Sequence, residues 1–478
     1  MTKRLGATGG NPTAAEPEAP AFLHSLVCFG GNLLLISAGL FALEVSLHIL
    51  LFLCLIWTGL HLRWLGHDFN AIRDMMNAGI SRALPALYIF MLIGLVIASF
   101  MQSGTIAALI YYGLDLLSPA YFLVAGLVLC SLMSVATGTS WGTVGTLGVV
   151  LMGLAEAMGM PLALTAGMVV CGATFGDKLS PVSDTTNLAA MSAGTPLFRH
   201  IGAMLYTTVP VFLLSLAVFA WLGLRHATDA MPSADIQRLQ QALENSYRLQ
   251  PLLTLLPFMV LLILSLRRQA AEVVMTASIV TAALIAVLYQ GHSPADVLNQ
   301  LWSNEPGDTG LSALDELLGR GGLLSMSWTL LLSILALALG GMLFGAGILQ
   351  ELLAGLIRRV RRTASLIATT IGAGLVGNLG MGEAYISIVL NCQLFSKAFD
   401  ARGLDRAVLS RSVEEGATMT TALIPWTTAG VFYAATLDVP VLAYAPFAFF
   451  NYLNPFISVA MAALGVGLLH GRTAPELR

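Results

Sequence analysis

Charge is what this chain has least of. Only 10% of its 478 residues are Asp, Glu, Lys or Arg, against about 25% in a typical soluble domain, and its mean hydropathy is +0.81. That scarcity excludes a water-soluble globular fold and leaves an all-α polytopic membrane protein. The formal net charge of -3 says little about partners, because in a membrane protein the placement of Lys and Arg outweighs their sum. Cysteine is sparse too: Cys28, Cys54, Cys130, Cys171 and Cys392 are dispersed without metal-ligand spacing and read as small apolar fillers. There is no Gly-rich phosphate loop with its lysine, and no nucleic-acid, nucleotide or metal-cofactor signature. ATP-driven chemistry is therefore not expected, nor any cofactor.

What is present is mostly apolar, so the few charges set the topology. Residues 1–20, with Lys3 and Arg4, read as a short disordered cytoplasmic tail. No small-residue cleavage site follows the first apolar run, so residues 21–64 are taken as a retained helical hairpin notched at Glu44. Arg63, Arg73 and Arg82 put the next loop in the cytoplasm. Arg199 with His200, Arg267 with Arg268, and Arg358, Arg359, Arg361 and Arg362 ask for the same side. Residues 291–323 hold Asp296, Glu305, Asp308, Asp315 and Glu316 against Arg320, and are placed outside. Residues 225–250 are placed there as well, against the bias of Arg225, Arg238 and Arg248.

One stretch breaks the apolar rule. Gly176-Asp-Lys-Leu-Ser-Pro-Val-Ser-Asp-Thr-Thr-Asn187 packs two carboxylates, an ammonium and four hydroxyls between membrane-grade segments. Pro181 lacks an N–H and disfavours helix in the residue before it. A helix arriving from Thr165 should end near Ser180, and a new one can start at Pro181 with Ser180 as its N-cap.

The chain also repeats itself. Gly104 in Leu92–Leu114 matches Gly347 in Leu335–Ile357 (347 - 104 = 243), Gly142 of a polar break matches Gly382 of another (382 - 142 = 240), and Pro181 matches Pro425 (425 - 181 = 244). A basic loop precedes the first copy and an acidic loop the second, which implies opposite topology. The predicted architecture is two inverted-topology repeats, residues 83–223 and 324–468, joined by connecting helices over 251–290, with broken helices, re-entrant hairpins and about 11–13 membrane segments. Secondary transporters use this plan and bind at the interrupted segments.

Breaking a helix at membrane depth frees backbone groups, which is tolerated only where they are buried or line a wet cavity. Those carbonyls, with Ser180, Ser183, Thr185, Thr186 and Asn187, can supply the oxygens a hard cation needs. Asp177 and Asp184 add charge, and a buried carboxylate can hold either a proton or a cation. Glu383 and Asn378 face the same question in the second copy, as do Glu415 (with its neighbour Glu414), Thr427 and Thr428. The bland readings are that Lys178 forms a salt bridge with Asp177 or Asp184, that Glu414 or Glu415 is a surface charge beside Arg411, and that Thr139, Ser140 and their neighbours only pack helices.

Phe175-Gly-Asp-Lys-Leu-Ser-Pro-Val-Ser-Asp-Thr-Thr-Asn-Leu188, Thr137-Gly-Thr-Ser-Trp-Gly-Thr-Val-Gly145 and Ser103-Gly-Thr with Ile110-Tyr-Tyr-Gly-Leu114 resemble the NhaC family of sodium/proton antiporters. Leu409-Ser-Arg-Ser-Val-Glu-Glu-Gly416 and Leu423-Ile-Pro-Trp-Thr-Thr-Ala-Gly430 extend the resemblance, which spans about residues 30–465. It implies exchange of a monovalent cation, Na+ above all, for protons in a prokaryotic inner membrane; some relatives exchange malate for lactate. The chain departs from the family pattern at Glu383-Ala-Tyr385, at Glu415 and at Thr427, where Asp-Gln-Tyr, Asp and Asn are usual.

The reading is therefore an antiporter with lipid, cation and proton as partners, no nucleic acid, and a homodimer as a candidate assembly. The alternative is an ion-coupled carrier of a small organic anion. A channel could use the same inventory, and a membrane aspartyl protease could use Asp177 and Asp184. Those two acids, however, straddle a proline in one loop, and a repeat has no role in proteolysis, so no enzymatic activity is expected.

Overall fold

The computed structural model describes residues 19–470 except 117, 227–232, 268, 306–314, 316–317, 358–359 and 361. The predicted tail over 1–18, and Arg268, Asp308, Glu316, Arg358, Arg359 and Arg361 of the topology argument, lie outside the described residues. Apart from one isolated bridge between Leu404 and His470, the described residues form helices, turns and irregular links. Nine described helices are long and apolar enough to cross a bilayer, and one sharply bent pair passes the same test. Thr105–Leu114, Leu256–Leu266 and Ile348–Ile357 are apolar but shorter. The chain is an integral membrane protein.

The N-terminal hairpin pairs α1 (Phe22–Phe41) with α2 (Leu47–Trp64), and its turn falls at Glu44, whose φ is 51°. Then follow α3 (Phe69–Arg82), α4 (Leu84–Gln102), α5 (Thr105–Leu116) and α6 (Pro119–Thr137). The next segment is α7 (Ser140–Thr143), a π-helical turn over Val144–Gly148, and α8 (Val149–Ala157). Beyond it lie α9 (Leu162–Leu179), α10 (Asp184–Ala193) and the long α11 (Leu197–His226). The middle of the chain holds α12 (Ser233–Ser246), α13 (Pro251–Thr254), α14 (Leu256–Leu266), α15 (Ala271–Ile285) and α16 (Pro294–Trp302). The last part is α17 (Ser327–Gly345), α18 (Ile348–Ile357), α19 (Thr363–Met381), α20 (Ala384–Asp400), α21 (Arg406–Thr421), α22 (Thr428–Leu437), α23 (Val441–Tyr444) and α24 (Phe449–Ala463).

The same devices recur at a near-constant spacing. Gly104 breaks α4 from α5 with φ 73°, and Gly347 breaks α17 from α18 with φ 75°. Gly138 ends α6 and Gly382 ends α19, both left-handed, a conformation an L side chain resists. Thr139 caps α7 and Glu383 caps α20. Ser183 caps α10 and Thr427 caps α22. The geometry therefore pairs Gly138, not Gly142, with Gly382. That raises the second offset to 382 - 138 = 244 and brings it into line with the first (243) and with 427 - 183 = 244.

The helices enclose two apolar cores, and each broken helix divides between them. Leu164, Met168 and Val170 of α9 lie in the first core, whereas Ala189 and Ala193 of α10 lie in the second. In return Phe432, Tyr433 and Leu437 of α22 enter the first core. α10 packs on α20 and α21, and α22 packs on the π-helical turn. The breaks thus meet where the two cores adjoin.

Candidate functional site

Pro181 ends α9 as expected, but the restart lies three residues later. Ser180 is the C-terminal cap of α9 with extended backbone, Pro181 and Val182 form a turn, and α10 begins at Asp184 with Ser183 as N-cap. The Ser183 hydroxyl oxygen accepts from the Thr186 N–H at 3.4 Å. Ser180 donates to the Val135 carbonyl at 2.8 Å, and Asn187 donates to the carbonyls of Pro181 and Ser183 at 3.0 and 2.8 Å. Side chains thereby take over for the missing ladder bonds. A Cβ on Gly138 would lie 2.9 Å from the Val182 carbonyl carbon, so the α6–α7 break rests directly on the α9–α10 break.

Asp177, in the last turn of α9, is the hub of this junction. Ser140 donates to its Oδ2 and Ser183 to its Oδ1, each at 2.6 Å. Thr139 supports Ser140 from below by capping the short α7 through the Gly142 N–H at 3.3 Å. Thr185 places its hydroxyl 3.1 Å from Ser183 Oγ. Across the junction, Thr428 donates to Glu383 Oε2 at 2.8 Å, and the Thr428 N–H donates to the Gly382 carbonyl at 2.9 Å. Thr427 caps α22 by accepting from the Gly430 N–H at 3.1 Å.

A cavity of about 670 Å³ opens onto these groups. Asp177, Asp184 and Glu383 line it with Thr139, Ser140, Thr185 and Thr428. Arg82 at the end of α3, Gln269, and Glu272 in the first turn of α15 line it too, next to arginines that the charge argument assigns to the cytoplasm. The carboxylates arrive beside helix ends of both signs: the C-termini of α6 and α9 offer carbonyls, and the N-termini of α10 and α20 carry Asp184 and Glu383.

The remaining sequence-selected residues sit elsewhere. Ser180, Ser183, Thr186 and Asn187 hold the first break, and Thr427 holds the second, all behind the cavity lining. Asn378 donates to the Ala417 carbonyl at 2.6 Å and to Thr420 Oγ1 at 2.9 Å, tying α19 to α21. Glu415 does not line the cavity. It is fully buried, 2.5 Å from the donating Thr207 hydroxyl and 3.8 Å from Lys178 Nζ. Lys178 therefore pairs with neither Asp177 nor Asp184, and Glu414, Glu415 and Arg411 form no surface patch: all three are at most 1% exposed.

A family model described as the Na+/H+ antiporter family matches residues 172–466, a span that begins just ahead of Asp177 and takes in every carboxylate of the junction. The chain belongs to this family. It is 38% identical to the Na(+)/H(+) antiporter NhaC of Alkalihalophilus pseudofirmus, over 93% of this chain and 96% of the relative. It is 36% identical to the Na(+)/H(+) antiporter NhaC of Bacillus subtilis, over 89% and 94%. The Malate-2H(+)/Na(+)-lactate antiporter of Bacillus subtilis is 30% identical over 96% of each chain.

Reading the sequence missed several groups at this family site. Glu272, Tyr385, Thr418, Thr421 and Tyr433 also line the cavity. His200 was taken only as part of a topology signal, yet it is fully buried and 2.8 Å from Glu414 Oε2. One signal pointed to it: Thr207 follows His200 by seven residues, two turns of α11, so both fall on one face, the one that meets Glu414 and Glu415.

Proposed function

We propose that the chain is a secondary antiporter that takes protons into the cell and expels Na+, working by alternating access between two inverted repeats. The observation that carries this reading is that Asp177 and Asp184, on either side of one helix break, and Glu383, at another, face one cavity. Asp177 is the principal shared site. Its two serine donors orient both oxygens, and a carboxylate so placed accepts a proton or coordinates a small cation along with hydroxyl and carbonyl oxygens. Asp184 and Glu383 supply further charge, and Thr139, Ser140, Thr185 and Thr428 neutral oxygens. The recurrence of capped breaks 243 or 244 residues apart, behind loops of opposite charge bias, supports the inverted repeat.

Arg82 and Glu272 also line the cavity, on segments that the charge argument places on the cytoplasmic side, and on that reading this conformation is inward-open. On the opposite side Arg320 reaches Asp438 at 3.1 Å and Glu156 at 3.6 Å, linking the two halves. An organic-anion cargo fits the lining poorly: among the described residues, Asp177, Asp184, Glu272 and Glu383 face Arg82 as the single cationic side chain.

The test is Na+/H+ exchange in proteoliposomes. Sodium should collapse a preset pH gradient with wild type, and Asp177→Asn and Asp184→Asn should each slow the collapse at least about a hundredfold while remaining folded. Wild-type exchange rates in both variants, or uptake of a labelled dicarboxylate with an undisturbed pH gradient, would sink the reading.

A further inference from the structure

Asp177 belongs to the first half of the chain, but one of the hydroxyls that serve it is itself held from the second half. Ser140 lies 2.6 Å from Asp177 Oδ2, and the phenol of Tyr433 in α22 is its further hydrogen-bond partner. Tyr433 is 2% exposed and lines the cavity. An ionised Asp177 can only accept, so the single Ser140 hydrogen goes to the carboxylate and the Ser140 oxygen is left to accept from the Tyr433 O–H. The result is a chain of two donors, Tyr433 to Ser140 to Asp177, that runs from α22 through α7 to α9.

The packing beside the chain explains why the two hydroxyls meet. Trp141, next to Ser140, and Phe432, next to Tyr433, stack with ring centroids 4.9 Å apart and planes 15° apart. Phe90 of α4 stacks on both, at 5.5 and 5.4 Å. Three near-parallel rings thereby fix how α22 sits on the short α7. None of these contacts involves the phenol oxygen, so a phenylalanine at position 433 can keep them.

We infer that Tyr433 is a positioning residue for the exchange: acting through Ser140, it favours the charged, cation-receiving form of Asp177 over the protonated one. This deepens the antiport reading above and rests on it. Hydrogen bonds to a charged acceptor are about twice as strong as neutral ones, and a donor that is itself hydrogen-bonded is polarised further. The ionised acid therefore draws more from the chain than the protonated acid does. The titratable groups facing Asp177 are Glu414 of α21, Tyr385 of α20 and Tyr433. Glu414 is a like charge and opposes the ionised form, Tyr385 is hydrogen-bonded to Asp184, and Lys178 is turned to Asn454 and Glu415. Tyr433 stands on the second half and Asp177 on the first, so any displacement between the halves changes the donor chain and with it the balance between proton and cation.

The test is the Na+ and pH dependence of exchange in proteoliposomes. Tyr433→Phe should raise the Na+ concentration for half-maximal exchange about threefold or more and move the rising limb of the pH profile to higher pH, with the rate at saturating Na+ little changed. In a Ser140→Ala background, where the phenol has no hydroxyl left to serve, Tyr433→Phe should add nothing. Tyr444→Phe removes a buried phenol that donates to the Ala422 carbonyl at 2.6 Å, away from the cavity lining; it should lower the unfolding temperature without moving the pH profile. Unchanged Na+ and pH dependence in Tyr433→Phe, or a loss that multiplies that of Ser140→Ala, would overturn the inference. Should Tyr433→Phe not fold, fluorotyrosine at position 433 alone keeps the ring and the hydroxyl and is the stronger donor. It should move both quantities the opposite way, and no movement would again overturn the inference. A wild type that exchanges no Na+ for protons at all would instead remove the antiport reading on which the inference rests.

Discussion

Lys178 follows Asp177 in the chain, yet its ammonium is turned to Asn454 Oδ1 at 2.9 Å and to Glu415 Oε1 at 3.8 Å, both in the second half of the molecule. The pair is fully buried, and Glu415 Oε2 has no hydrogen-bond partner among the described residues. Removing one member leaves a buried charge under-compensated, Glu415 keeping Arg411 Nε at 3.9 Å, a cost of up to about 3–5 kcal/mol, while replacing both by apolar groups restores part of it. Lys178→Met and Glu415→Leu should each lower the thermal unfolding midpoint in detergent, and the double variant should lie above either single one. Additive losses would mean that the two residues do not act as a pair.

Ser140 has a narrower task, because its hydroxyl caps no helix and donates to Asp177 Oδ2. A hydrogen bond to a charged group contributes about 1.5–3 kcal/mol. Ser140→Ala should raise the Na+ concentration for half-maximal exchange by on the order of tenfold or more with little change in unfolding temperature. Ser183→Ala removes the matching bond and also the cap of α10, so it should impair both. Equal effects of the two variants on stability would refute this division of labour.

How much of this was legible beforehand follows from which signals are local. Pro181 announces a break by removing an N–H, and that break is present. Where α10 restarts depends on which of Ser180 and Ser183 caps it, and Ser180 was already committed to the Val135 carbonyl of another helix. The bland reading of Lys178 fails for a related reason: adjacency in sequence suggested Asp177, but on a helix neighbours in the chain point about 100° apart. The match drawn from Gly142 to Gly382 moves by four residues because Gly138 and Gly142 look alike in sequence, and only the left-handed backbone at Gly138, shared with Gly382, distinguishes them. Glu414, Glu415 and Arg411 resemble a solvated face, and their burial is set by α11 folding across them.

The two breaks of the first half touch through Gly138, and that contact makes a sharp contrast with Gly194. Both glycines have φ 73°, so alanine at either pays the left-handed penalty, about 1 kcal/mol or more. At Gly138 the new Cβ would also meet the Val182 backbone at 2.9–3.0 Å, whereas at Gly194 nothing lies within 4 Å. Gly138→Ala should therefore abolish exchange and lower stability well beyond Gly194→Ala, which should remain active. Comparable losses in both would show that backbone conformation alone, not the meeting of the breaks, matters at Gly138.

The contacts on the opposite side from the cavity mouth set the last expectation. Arg320 is 23% exposed and its partners Glu156 and Asp438 are 23% and 64% exposed, so water screens the pairs, and each contributes no more than about 1 kcal/mol. That is small for a fold but adequate for a switch, because two states of near-equal energy shift about fivefold in population for each kcal/mol. Arg320→Gln should thus leave unfolding temperature unchanged while increasing the time spent open to the outside. Thr436 lines the pocket beside Arg320, and all five native cysteines are buried, so a Thr436→Cys background reports opening with a membrane-impermeant thiol reagent. Adding Arg320→Gln should speed labelling a few-fold at low salt, and the gain should shrink near 1 M salt, where charges more than about 3 Å apart are screened. An unchanged rate at low salt would mean that Arg320 does not hold the outer side closed.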